Sequence, residues 1–180
     1  MMGDGMSSHE TAETSRPGPG AGRLRAVFSP KNLLEALVSA GGGFVTVFLL
    51  AWLSAKAEAP LLIAPFGASC VLVFALPQSP LAQPRNVIGG HLVATTAGLI
   101  AWMLVGATPL GFALGVALAI AGMILTKTVH PPAGGDPIVV ILASASWSFL
   151  AVPVLVGTLA IVLIGVAYHR AVSGKIYPTS

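Results

Sequence analysis

Charge is the scarcest commodity in this sequence. Only 8% of its 180 residues are charged, 55% are hydrophobic, and the mean hydropathy is +0.88. Soluble domains carry roughly 25% charged residues, so this chain could not cover a water-facing surface, and a bilayer must supply much of its solvent. Cysteine is nearly absent. The lone Cys70 excludes an internal disulfide and a cysteine-based metal site, and within its apolar run it reads as a small apolar side chain. Acidic residues near the apolar blocks are limited to Glu35, Glu58 and Asp136, far apart in sequence. There is no His-Glu-x-x-His and no Gly-x-Ser-x-Gly. These gaps argue against a membrane-embedded enzyme, which needs clustered carboxylates, a metal or an activated nucleophile. No cofactor and no metal is expected.

The first 27 residues are polar and rich in Gly, Ser, Thr and Pro, with no apolar stretch of signal-peptide length. They read as a disordered cytoplasmic tail preceding a transmembrane domain over 28–180. Arg16, Arg23, Arg25 and Lys31 all lie ahead of the first apolar block, which places that side in the cytoplasm. A basic arm for nucleic acid is the weaker reading, since no recognition motif accompanies the charges.

The apolar blocks predict an all-α, polytopic transmembrane helix bundle of about six membrane elements. Spans are expected over 33–55, 87–105 and 109–126. The block Pro60–Pro77 is interrupted by Pro65 and Gly67. The uncharged run Ile138–Tyr168 would reach roughly 46 Å as one helix against about 30 Å of hydrocarbon, so it must be two elements, with the break near Ser144–Ser148. For the fifth element to cross, it must take in HPPAGGDP. Six crossings put both termini in the cytoplasm with Arg85, Lys127, Arg170 and Lys175, as the positive-inside rule requires.

A shift of 67 residues superposes Pro65 on Pro132, Gly67 on Gly134, Gly90 on Gly157 and Gly98 on Gly165. Halves over 33–105 and 109–169, each with three elements, would then be inverted in the membrane, a common transporter design. Chance similarity between apolar segments is the alternative.

Helix breaks at membrane depth survive only where they are buried in protein or line a wet cavity. Two helix N-termini, after Pro65-Phe66-Gly67 and after Pro132-Ala133-Gly134-Gly135, would present free N–H groups to an anion near the midplane. Ordinary interfacial turns are the equally weighted alternative. Gly67, Ala68, Ser69, Gly134 and Gly135 are therefore candidate substrate-binding positions, with Pro65, Pro131, Pro132 and Asp136 as their structural frame. His91 sits among apolar residues, where a titratable group is costly and a functional role is the default; a structural hydrogen bond to another helix is the alternative. Arg85 guides an anion or anchors at headgroups. Asn86 contributes to the site or caps its helix. Lys127 and His130 form a cationic mouth or a solvated loop. Asp136 caps the fifth helix or pairs with Lys127 or His130. Gly111, Gly115 and Ala119, and separately Gly41–Gly43, read as close-packing faces within or between subunits, leaving a homodimer open.

GASCVLVFALPQSPLAQPRNVIGGH (Gly67–His91) and HPPAGGDP (His130–Pro137) together resemble the HPP family of integral membrane proteins. The similarity runs from about Leu33 to Tyr168. The family's naming motif falls on His130, Pro131 and Pro132, and SPLAQPRN on Ser79–Asn86. Some members are implicated in nitrite transport. The resemblance implies a bacterial inner-membrane, multi-pass transporter of a small anion, nitrite foremost. A sensor or scaffold subunit is the alternative class, with the tail as its means of binding a partner.

Overall fold

A computed structural model describes residues 27–179. The expected tail, with Arg16, Arg23 and Arg25, lies outside the described residues except for Val27. The chain falls into two compact units, one ending at Leu34 and one beginning at Glu35. In the first, the Ser29 hydroxyl accepts the Asn32 N–H at 3.3 Å and caps the start of the first helix.

Every element among the described residues is helical. The α-helices are α1 (Pro30–Ala57), α2 (Ala64–Cys70), α3 (Pro84–Val105), α4 (Pro109–Leu125), α5 (Asp136–Leu142) and α6 (Val156–Tyr168), joined or extended by short 3-10 and π-helical segments. Among the described residues, three helical stretches are long and apolar enough to cross a membrane: Pro30–Ala57, Pro84–Val105 and Trp147–Ser173. The last combines a short turn, α6 and two π-helical segments.

Two elements are short and composite. α2 has seven residues and runs on into a five-residue π-helix, Val71–Ala75. The second has a five-residue 3-10 turn, Pro131–Gly135, leading into the seven residues of α5. Ala64 and Pro131, where they begin, are 67 residues apart, the same shift that superposes the Pro-x-Gly segments.

Proline and glycine set these boundaries. α2, α3 and α4 each carry proline in the first turn, where its missing N–H costs nothing. α4 and α5 end in the same way: Thr128 N–H reaches Met123 O and Lys127 N–H reaches Ile124 O, while Ala145 N–H reaches Val140 O and Ser144 N–H reaches Ile141 O. These are Schellman caps, with Lys127 (φ 56°) and Ser144 (φ 47°) in the left-handed position that glycine usually fills. The second cap produces the break after Leu142; helical structure resumes at Trp147.

The inner packing rests on small residues. α3 buries Gly90, Ala94, Ala97, Gly98 and Ala101, and α4 buries Gly111, Gly115 and Ala119. Pro137 is seated between two of these glycines: a Cβ on Gly98 would lie 2.6 Å from Pro137 Cα, and one on Gly115 3.0 Å from Pro137 Cβ. The glycine face of α4 is thus used inside the chain. So is that of α1, where Gly42 lies under the Phe74 ring and Gly41 under the Tyr168 hydroxyl. α1 buries only the stripe Gly42, Thr46 and Leu50, while Leu37, Phe44 and Phe48 point outward. Such an outer face suits hydrocarbon.

The C-terminal segment closes over the loop ahead of α3. Tyr177 donates its hydroxyl to Ala82 O at 3.0 Å, and Thr179 N–H donates to Gln83 Oε1 at 2.8 Å. Gln83 in turn donates its amide to the carbonyls of Pro77 and Ser79. Burial raises the Tyr177 pKa, which keeps the phenol a donor.

Candidate functional site

The two broken elements meet. A Cβ on Gly135 would stand 3.3 Å from Pro65 Cγ, so the Pro-Gly segments pack against each other. From this meeting point four side chains form one continuous chain with no solvent-exposed surface. Asp136 Oδ2 lies 2.7 Å from His91 Nδ1. His91 Nε2 lies 2.8 Å from Ser69 Oγ. Ser69 Oγ lies 2.8 Å from His130 Nε2 as well. His130 Nδ1 ends the chain on the Leu81 carbonyl at 2.8 Å.

Local sequence explains each placement. Ser69 is on the inner side of α2, one turn after Pro65, whose carbonyl its hydroxyl also approaches at 3.3 Å. His91 follows Gly89 and Gly90, which bring the backbone of the 128–130 segment against α3; a Cβ on Gly90 would lie 2.8 Å from Thr128 O. Asp136 opens α5, and the seating of its neighbour Pro137 fixes its height along α3. Thr95, one turn beyond His91, donates to Asp136 Oδ2 at 3.2 Å. The other carboxylate oxygen, Oδ1, is buried without a hydrogen-bond partner. Phe66 packs edge-on against the His91 ring, with centroids 5.2 Å apart, and is itself covered by α6 at Gly157.

The candidate residues therefore divide. Ser69, His91, His130 and Asp136 come together in the interior. Asp136 pairs with His91 rather than with Lys127 or His130, because α5 starts alongside the middle of α3. Lys127 is exposed at the αL cap of α4, so the helix that would set it on one face with His130 has already ended. Arg85 is exposed and donates to Thr126 O at 2.9 Å, and Asn86 donates to Val129 O at 2.8 Å; both tie α3 to the loop after α4. The N-cap of α3 is Gln83, because proline in the first turn moves the helix start ahead of Asn86. Gly67 and Ala68 face outward, and Gly67 borders an apolar groove of about 300 Å³ between α1 and α2. Among the frame residues Pro65 is buried, whereas Pro131 is exposed and Pro132 half-buried.

The helix-terminus expectation is corrected at α2. Proline is pre-organised for a first turn, so Pro65-Phe66-Gly67 lies inside the helix, which begins at Ala64. A Cβ on Gly67 or on Gly134 would meet nothing within 4 Å. Gly67→Ala is thus expected to stabilise the protein by about 1 kcal/mol through helix propensity alone, read as a higher unfolding midpoint in detergent. A loss of stability would mean that α2 needs a glycine there. Thr95 is the participant that sequence reasoning missed. Its only signal is a polar side chain one helical turn from His91.

The family model of the HPP transmembrane region matches residues 29–178. A transmembrane protein of Dictyostelium discoideum is 35% identical over 147 residues, covering 75% of this chain and 47% of its own. A second transmembrane protein of that organism is 34% identical over 130 residues, covering 68% of this chain and 46% of its own. The chain thus spans about half the length of the curated relatives it matches. No solved structure matches it.

Proposed function

The chain belongs to the HPP transmembrane family, and from that premise we propose that it moves a small anion, nitrite first, across a membrane. The observation that carries the reading is the buried chain Asp136–His91–Ser69–His130, held where two broken membrane elements meet. Titratable groups at membrane depth are costly and are kept for ion or proton pathways. Broken helices that pack at a shared centre are the usual way a transporter builds its site. Nitrite comes from the family resemblance; the geometry supports only a polar, proton-bearing centre. The 67-residue spacing of the two composite elements favours an inverted pair of halves. The positive-inside rule favours cytoplasmic termini in a bacterial inner membrane.

The test is nitrite uptake into proteoliposomes holding the purified chain. Wild-type flux should exceed that of protein-free liposomes, and His91→Ala should lower it at least tenfold while the protein stays monodisperse. Equal flux in all three preparations would rule out the reading.

A second reading has one observation in its favour. The order carboxylate, imidazole, hydroxyl in Asp136–His91–Ser69 is that of a serine nucleophile with its base and orienting acid. Against it, Ser69 has no exposed surface and its oxygen is held by a second imidazole. Covalent labelling of Ser69 by a fluorophosphonate would revive the enzyme.

A further inference from the structure

The hydrogen-bond inventory of the buried chain does not close unless it holds an extra proton. The Leu81 carbonyl can only accept, so His130 Nδ1 carries a hydrogen, and a neutral His130 leaves its Nε2 bare. If Asp136 is ionised, His91 donates from Nδ1, and a neutral His91 also leaves its Nε2 bare. Both bare nitrogens then face Ser69 Oγ at 2.8 Å. The hydroxyl has one hydrogen, which can serve one ring, and if it points to Pro65 O at 3.3 Å it serves neither; at least one ring nitrogen would then hold a lone pair against a lone pair in an interior closed to solvent. Buried polar contacts are not left in that state.

One added proton resolves the conflict in any of three positions. On His91, the ring donates to Asp136 and to Ser69, whose hydroxyl donates to His130. On His130, the ring donates to Leu81 and to Ser69, whose hydroxyl donates to His91. On Asp136, the carboxyl donates to His91 Nδ1, His91 Nε2–H donates to Ser69, and Ser69 donates to His130. Each arrangement satisfies all four contacts and leaves the cluster with no net charge. They interconvert by proton hops along hydrogen bonds already present, and no atom has to leave its place.

Among the described residues, no other ionisable group lies in this chain of hydrogen bonds. α2 contributes Ser69, while its thiol, Cys70, borders the groove against α1 and has no hydrogen bond to the four side chains; α3 contributes His91 and Thr95, and α4 carries no titratable side chain. On α6 the one such group is Tyr168, whose hydroxyl donates to Val38 O. Arg85 and Lys127 are exposed, and Arg85 is occupied by Thr126 O.

We propose that Asp136, His91, Ser69 and His130 form a binding site for one exchangeable proton, shared between the carboxyl and the two rings. If the transport reading also holds, this proton is the coupling partner of the anion: its loss leaves a net negative centre that repels the solute. The inventory itself does not depend on that reading.

Nitrogen NMR of the full chain in lipid bilayers tests it, with labelled histidines assigned through their sequence neighbours and the Asp136 carboxyl followed by infrared absorption. Three protons are expected at neutral pH over the carboxyl and the four ring nitrogens of His91 and His130. Two protons, with both rings neutral and the carboxyl ionised, would overturn the proposal. Asp136→Asn is the second arm. Its amide can donate to His91 Nδ1 and reproduce the third arrangement with nothing to share. Both rings should then be neutral over a wide pH range, with the His91 hydrogen on Nε2. A cationic ring in that variant would overturn the sharing with Asp136. Three protons without nitrite flux would cost only the transport reading, and flux with two protons only this one.

Discussion

Asp136→Ala is expected to remove about 3–5 kcal/mol of stability, the range found when one member of a buried ionic pair is deleted. The size of the loss separates two accounts of the residue. A single side-chain hydrogen bond between helices in a membrane contributes on average about 0.6 kcal/mol and at most about 1.7. Losing the Thr95 contact alone would therefore cost little. The larger figure comes from stranding His91, whose buried Nδ1 would lose its hydrogen-bond partner. Asp136→Asn keeps a donor at that position and should lose much less. Unfolding midpoints of the three proteins in detergent give the comparison. Equal losses for the two variants would mean that a hydrogen-bond donor at this position does not replace the carboxylate for His91.

Gly98→Val is expected to disrupt the same centre without touching any polar atom. A Cβ at Gly98 would lie 2.6 Å from Pro137 Cα and 3.3 Å from Val140 Cβ. The first neighbour is backbone, which cannot rotate away. Overpacking typically costs about 1–3 kcal/mol and occasionally more, and a β-branched side chain against main chain belongs at the upper end. α5 has to shift, and it takes Asp136 with it. The variant should therefore lose both stability and nitrite flux. Gly122→Ala, whose Cβ would meet only a Val93 methyl at 2.7 Å, should be far milder. If Gly98→Val retains full flux, the position of α5 along α3 is not critical.

Much of the architecture can be read from pattern because membrane helices announce themselves by length and apolarity. The breaks near Pro65, before Asp136 and after Leu142 follow from where proline and glycine stand and from a run too long for one span. The cost of His91 is also visible, since a titratable group among apolar residues needs a reason. Its partners are not visible. Ser69 is 22 residues from His91, Asp136 is 45 residues away on the other side, and Ser69 and His130 are 61 apart. Nothing local in ASC or TVH says that these side chains share an interior. Convergence depends on the depth at which α5 is seated, and that depth is set by two glycines on two other helices. Gly67 shows the opposite failure. A glycine after proline reads as a breakpoint, but proline in a first turn starts a helix, and Gly67 is simply a residue on its outer side.

Leu81, Ala82 and Gln83 are three consecutive residues with three different tethers. The first holds His130, the second holds Tyr177, and the third holds Thr179. This short turn therefore joins the buried side-chain network to the 177–179 segment. A displacement of Thr179 has two residues of backbone, from Gln83 to Leu81, to cross before it reaches the His130 imidazole.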